Sequence, residues 1–531
     1  MNIQYSNSTA VFFFLNVYPR LLEVAILSWL ALLAFNFKAI VSQFKPLVTR
    51  AGAAAALAIF FCALAVRLVL ITPRHQVYFD EFLHEDIAGN VARAGVFGES
   101  VAGGSDELRR LQTPHWPGGY HLLLGQLFKL TGVSEMTAFR FNVALASLSV
   151  ALFFLLCTLL FMDQRAGLVG AALLAALPLH IQFSGTTDLT PCSSFWMIVV
   201  LLAWTLHRKL KTDTAYFLLL ASVLYAVNVR LENLALVPLI TLGAADASRI
   251  KVLPHRRIAG KIAFFVLLSP AVALLWKIYA YKDALLGVFS NLGVNIPADL
   301  RYLLGTPENA LILIPATVFM LVRGAQEEKK TAKALLLLGA GYLVVCALHP
   351  KGSYVLGSFE RFAVPVELCL IAAASGGLSR MLRFARAGTA GFAVLLAACV
   401  ALSRPLYGKG PLEKYEQEYR LVVDSAALLP ADSFVICYCV PIILVAARRP
   451  AVIAPLADMD GGALLDRLDQ NGRRPLILFK DVWWYKFADS SKMIESRLRT
   501  RYRFEPIKTA LIDAKEYGFY RLTRAAVGER P

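Results

Sequence analysis

The sequence predicts a polytopic α-helical membrane protein, with about 12–13 transmembrane helices and a small extracytoplasmic α/β domain at its C-terminal end. Three observations carry that prediction. The chain of 531 residues is 57% hydrophobic and only 17% charged, with a mean hydropathy of +0.58; soluble domains run nearer about 25% charged. Apolar runs of membrane length recur as far as Ser403. After Ser403 the composition changes at once, and Lys, Arg, Asp and Glu return throughout.

Taken in order, spanning helices are expected near 20–40, 52–72, 138–161, 165–183, 190–207, 213–229, 231–247, 258–278, 309–323, 333–348, 360–378 and 388–403. The apolar stretch from Pro117 to Thr131 is short and contains His121, Gln126 and Lys129, which suits an interfacial helix better than a span. Charge asymmetry supports that choice. With 117–131 lying on the surface, one side receives Lys38, Lys45, Arg50, Arg208, Lys209, Lys211, Arg249, Lys251, Arg256 and Arg257. Arg323, Lys329, Lys330, Lys333, Arg380, Arg383 and Arg386 fall on the same side, while the opposite short loops hold little beyond Arg230, Lys351 and Arg361. Cationic loops stay in the cytoplasm, so the acidic loops face out. The same distribution explains the net charge of +17 without nucleic acid.

Three regions follow: 1–51 with an extra transmembrane helix, a membrane domain over 52–403 with a large outer loop at 73–137, and an extracytoplasmic α/β domain over 404–531. A second outer segment is expected from Tyr279 to Glu308. In the tail, Ser433–Cys439, Arg474–Lys480 and Glu516–Leu522 read as strands and Ser491–Arg501 as a helix. The N-terminus lacks a basic n-region, so no cleavable signal peptide is expected. Of the eight cysteines, Cys62, Cys157, Cys346, Cys369 and Cys399 lie in apolar runs and Cys192 at the edge of one. Cys437 and Cys439 have a spacing that suits neither a zinc clip nor an easy disulfide.

The residues with chemistry gather on the outer side. Tyr78-Phe79-Asp80-Glu81-Phe82-Leu83-His84-Glu85-Asp86 holds four carboxylates and a histidine just after the apolar run Gly52–Thr72. On a helix, Asp80 and His84 share one face, as do Glu81 and Glu85. A carboxylate pair at a membrane edge has the makings of a general base and its helper; an acidic solvated turn is the bland alternative. His115, beside Trp116, suits a headgroup or phosphate, or else simple interfacial anchoring. Asp188 precedes a helix, where capping explains it equally well. Arg230 and Glu232 at membrane depth either pair to fix packing or face a substrate. His349, Lys351 and Arg361 place cations where few others occur, which suits a lipid phosphate or snorkelling to headgroups. The set fits chemistry on a phosphate-bearing amphiphile: a carboxylate deprotonates an acceptor hydroxyl and cations stabilise the departing phosphate.

The order of these pieces resembles the GT-C superfamily of membrane glycosyltransferases, and within it the bacterial aminoarabinose transferases and protein O-mannosyltransferases. The resemblance rests on Asp80-Glu81 opening the outer loop, the run Ile87–Gly95, His115-Trp116-Pro117, Phe139-Arg140-Phe141-Asn142, Asp188, Val229-Arg230-Leu231-Glu232 and Glu360-Arg361-Phe362-Ala363-Val364-Pro365. It covers about residues 52–403. Departures are His115-Trp116 where the family often has Lys-Pro, and Phe362 where it has Tyr. The resemblance implies a GT-C-like transmembrane domain and inverting transfer of a sugar from a polyprenyl-phosphate donor to an acceptor lipid, glycan or protein. Asp80 would be the base on the acceptor, and Glu81 would assist or orient. His115, Lys351 and Arg361 would contact the donor phosphate, with His84, Asp188, Arg230, Glu232 and His349 as further donor-phosphate or substrate-binding candidates. No cofactor is required and no metal ligand is assigned, though some relatives use a divalent metal such as Mg or Mn. The implied location is a bacterial inner membrane, with the site facing the periplasm. The rival expectation is a transporter or flippase of lipid-linked sugars, which would show broken helices in two matching halves. A third is a membrane-anchored module whose tail after Ser403 only binds a partner.

Overall fold

In a computed structural model the chain is described over residues 11–104, 109–114, 116–240, 284–349, 352–355, 357–384, 413–459, 463–469 and 474–525. The expected spans at 258–278 and 388–403, the end of 231–247, and the residues His115, Lys351 and Cys399 lie outside these limits. The membrane part begins with α1 (Tyr18–Phe44) and α2 (Arg50–Val69), then α3 (Tyr78–Ala94), which carries the acidic stretch. Strands β1 (Glu99–Gly103) and β2 (Arg110–Gln112) follow, then α4 (Gly119–Thr131). Helices α5 (Glu135–Phe161), α6 (Gln164–Ala176), α7 (Pro178–Ser184), α8 (Thr190–Leu210) and α9 (Asp213–Val229) build the first half of the bundle. Helices α10 (Ala284–Gly305), α11 (Ile314–Arg323), α12 (Gln326–Ala347) and α13 (Val364–Phe384) build the second.

Among the described residues, six helices are long and apolar enough to cross a membrane, or up to eight if each of two bent pairs is one span. One bent pair is α6 with α7, at 58°. Its break has a local cause: Leu177 precedes Pro178, whose ring disfavours the helical region for its predecessor, and Leu177 is extended at φ −65°, ψ 118°. The other joins Ser290–Gly305 to Asn309–Arg323 at 75°. The segment expected as an outer loop at 279–308 is thus helical where it is described, and it keeps Pro297 inside the helix. Helix α4 has 13 residues, about 20 Å of rise, too short for a hydrocarbon core of about 30 Å.

The two ends of the bundle differ in charge. At one end Arg383 meets Asp163 at 2.6 Å, Arg380 pairs with Glu328, and Thr49 N–H donates to Gln164 at 2.9 Å. Lys209 reaches the Met162 sulfur at 2.8 Å beside the same turn. The acidic helix α3, the α7–α8 turn and the start of α13 meet at the other end. The N-terminal helix belongs to the bundle: Trp29 donates to Ser222 on α9 at 2.9 Å, and the Tyr18 hydroxyl donates to Asn228 at 2.7 Å. On its outer side, Phe35 and Phe37 are exposed, as lipid-facing residues of a span should be.

The tail contributes α14 (Glu413–Ala426), β3 (Phe434–Cys437), β4 (Ala451–Ile453), β5 (Leu476–Lys480), α15 (Ala488–Arg499), β6 (Tyr502–Ile512) and β7 (Lys515–Arg524). Its seven-stranded sheet has the order β2-β1-β4-β3-β5-β7-β6. Strands β3, β4 and β5 pair parallel, and the rest pair antiparallel. The expected strands and helix appear, but so do two strands from the outer loop. Ala102 pairs with Val452 and Gly103 with Ala451, so loop and tail share one sheet. Helix α3 is held between this sheet domain and the bundle. Its Tyr78 and Phe82 join the tail's core with Leu421, Val440 and Ile443, and Tyr78 stacks on Tyr415 at 5.0 Å. Cys437 and Cys439 are buried thiols in that core, and burial raises both well above the usual thiol range.

Candidate active site

Arg361 sits in a 3-10 turn, Gly357–Ala363, that leads into α13. Its guanidinium is buried and reaches two elements at once: Nη2 donates to Asp80 Oδ2 on α3 and Nη1 to Asp188 Oδ2 before α8, each at 3.1 Å. Asp188 splits its two oxygens. Oδ1 accepts from the Thr190 backbone N–H at 2.9 Å and from its hydroxyl, fixing the start of α8, while Oδ2 serves Arg361. Capping and pairing are therefore both true of Asp188. Arg230 Nη1 donates to Thr190 Oγ1 at 3.0 Å and its Nε to Glu232 at 3.2 Å. Both arginines lie over the ring of Phe362, Arg230 at 4.6 Å and Arg361 at 5.5 Å. A phenyl ring suffices for that role, so the lack of a tyrosine hydroxyl at 362 does not disturb it.

Two polar atoms in this cluster are left open. Arg361 Nε is buried and has no partner among the described residues. Asp80 is about a quarter exposed (26%), and among the described residues its Oδ1 accepts no hydrogen bond. Burial raises the Asp80 pKa above the ordinary aspartate value, and Arg361 opposes that rise. Burial also pushes Asp188 up, but Arg361 and Arg230 overcome it and hold the carboxyl down at about 2.

Glu81, expected beside Asp80 to assist or orient it, has both oxygens occupied. Its Oε1 accepts from Gln76 N–H at 2.7 Å and Val77 N–H at 2.6 Å. Its Oε2 accepts from Thr187 N–H at 2.7 Å, the Thr187 hydroxyl at 3.2 Å and His75 Nδ1 at 3.1 Å. No capacity remains for a substrate. Glu81 ties the turn that carries Asp188 to the helix that carries Asp80.

His84 was expected among the residues that bind the donor phosphate or the substrate. His121 Nδ1–H donates to the Pro117 carbonyl at 3.0 Å, so His121 Nε2 accepts from His84 Nδ1–H at 3.0 Å. That leaves His84 Nε2 as a buried lone pair without a partner. Burial drops the His84 pKa to about 3, so the ring is neutral and offers an acceptor rather than a cation. His349 lies past the end of α12, where its carbonyl accepts from Asn295 at 3.0 Å. His115 and Lys351 are outside the described residues.

Several polar residues that sequence reasoning left unassigned lie close by. Gln182 on α7 donates to Gln76 at 2.8 Å and to Glu360 at 3.1 Å, joining the broken helix to the Arg361 turn. Glu85 and Glu135 approach His75, and one donor atom from each of the three lies within 4.8 Å of the others. A cleft of about 240 Å³ opens beside Phe79, which precedes Asp80 in the sequence, and is walled by Trp116, Tyr438, Trp483 and Phe487, with Glu99 in its lining.

No family model matches the chain, and no curated protein matches it. Solved structures do. The crystal structure of apo ArnT from Cupriavidus metallidurans aligns with a TM-score of 0.57 at 14% identity, covering 89% of this chain and 98% of that one. The same enzyme bound to undecaprenyl phosphate aligns with a TM-score of 0.53 at 13% identity, covering 89% and 97%. The fold is the GT-C fold.

Proposed function

We propose that the chain is a glycosyltransferase that moves a sugar from a polyprenyl-phosphate-linked donor to an acceptor hydroxyl, with inversion, at the extracytoplasmic membrane face. The observation that carries this is the Asp80–Arg361–Asp188 bridge with its unpartnered Nε. A donor phosphate is drawn to Arg361 Nε and to Arg230, and Lys351 and His115 add to that grip. As the phosphate competes for the guanidinium, Arg361 loosens its hold on Asp80, whose open oxygen turns to the acceptor hydroxyl as general base. Asp188 stays ionised and keeps Arg361 in place. When the glycosidic bond to phosphate breaks, the two guanidiniums stabilise the charge that builds on the leaving phosphate. His84 Nε2 accepts a hydrogen bond from a sugar hydroxyl in this arrangement. The aromatic cleft beside Phe79 takes the acceptor, since flat apolar walls with a few polar groups suit sugar rings and lipid headgroup regions. The likeness to ArnT, whose structure holds undecaprenyl phosphate, supports a lipid-linked donor. The cationic loops at the opposite end support a site facing away from the cytoplasm.

The test is transfer from a labelled polyprenyl-phosphate sugar by the purified protein, followed as a function of pH. Asp80→Asn is expected to lower kcat/KM by about 10²–10⁴ while the protein folds normally. A base must be ionised to work, and burial raises the Asp80 pKa. The acid limb of wild-type kcat/KM therefore lies above about 3.9, the free aspartate value. Full activity in Asp80→Asn, or movement of labelled lipid with no new glycosidic bond, overturns the reading.

A further inference from the structure

We propose that His75, Glu85 and Glu135 bind one divalent transition-metal ion of the zinc class, which locks the acidic helix onto the membrane bundle. The three residues come from different elements: His75 from the link after α2, Glu85 from α3 and Glu135 from the first turn of α5. Their donor atoms already converge within 4.8 Å. Donors on one zinc ion lie about 3.3–3.5 Å apart at bond lengths of about 2.0–2.2 Å, so small side-chain rotations close the set on an ion.

Glu85 is the independent sign of a ligand. It is fully buried, yet neither carboxylate oxygen has a hydrogen-bond partner. A buried carboxylate in that state is costly unless it is neutral or something positive is bound. The surroundings also supply the outer partners that metal ligands need. His75 Nδ1 is held by Glu81 at 3.1 Å, which leaves Nε2 facing Glu135 and the ion. The Tyr419 hydroxyl from the tail reaches both Glu135 oxygens, at 3.0 and 3.1 Å. One imidazole and two carboxylates suit Zn²⁺ first and Mn²⁺ second, with room for a water or hydroxyl as a fourth ligand.

Once bound, the ion joins α3 to α5 five residues from Asp80, and through Glu135 and Tyr419 it reaches the tail. This is a positioning site, independent of whether the protein transfers sugar.

The experiment uses full-length protein in detergent, stripped with a chelator, reloaded with Zn²⁺ or Mn²⁺ and desalted. Elemental mass spectrometry should find about one metal ion per wild-type chain and a small fraction of that in Glu85→Gln. Asp80→Asn should keep the ion, which separates this proposal from the assignment of the base. Zn²⁺ should raise the unfolding temperature of the wild type and leave that of Glu85→Gln unmoved. The metal-free alternative treats Glu85 as a neutral acid, for which Gln is a close replacement. Wild-type protein that retains neither ion, or equal retention and equal unfolding temperatures in Glu85→Gln, overturns the proposal. If Glu85→Gln fails to fold, the wild-type stoichiometry and its thermal shift still decide the matter.

Discussion

Arg361 donates to two aspartates of very different exposure, and that difference sets what its loss costs. Asp188 is 2% exposed, whereas the Asp80 side chain is 26% exposed and can turn to water. Removing the cation leaves Asp188 as a buried charge with Arg230 as its nearby cation among the described residues. Arg361→Ala should therefore destabilise the protein by about 3–5 kcal/mol, read by chemical or thermal unfolding. Asp80→Asn should cost under about 1 kcal/mol, because its pairing is partly exposed. Equal losses in the two variants would show that Asp188 is supported by something else. Arg361 is legible in the sequence because cations are scarce on that side of the chain, and Asp80 because four carboxylates crowd one short stretch after an apolar run. His75 and Glu135 are not legible as a pair. They are 60 positions apart, and each alone reads as an ordinary polar residue at a helix end. Glu81 is legible as a residue but not in its role, since five donors from Gln76, Val77, Thr187 and His75 converge on it only in the fold.

At the scale of elements, hydropathy marks the spanning helices well because each must bury its backbone groups within itself. The two pieces on either side of Leu177–Pro178 are together apolar enough for one span, so hydropathy alone does not show the break. Strands β1 and β2 are harder to see. They are short, and β1 finds its partner β4 about 350 positions later, which no local pattern encodes. One glycine marks where the outer loop leaves that sheet. Gly104 has φ +86°, and an added Cβ would lie 2.7 Å from the Pro450 backbone. Gly104→Ala should cost about 1–3 kcal/mol from the disfavoured conformation alone, before the clash is counted. It should also raise hydrogen exchange at β1 and β4 more than in the bundle. Uniform exchange across β1, β4 and the bundle would mean that the loop does not depend on this join.

For the whole molecule, composition predicts a small extracytoplasmic α/β domain after Ser403, and the sheet ties that domain to the outer loop. The tail supplies five of its strands and the outer loop the other two. Helix α3 gives Tyr78 and Phe82 to the tail's core and, on the opposite face, Glu81 to the bundle's α7–α8 turn. Phe79, the neighbour of Asp80, packs on Trp483 at 4.7 Å. Ending the chain at Ser403 would strip one whole face of α3 and leave β1 without β4. Each large side chain so exposed forfeits about 1.5–3 kcal/mol of burial, and Tyr78, Phe79 and Phe82 lie within two turns of Asp80. The truncated protein should still insert in membranes, because its spans are intact, but transfer activity should vanish and protease should cut between Pro73 and Gly95. Full transfer by the truncated chain would mean that the bundle alone holds Asp80 against Arg361, and would restore the tail to a binding module.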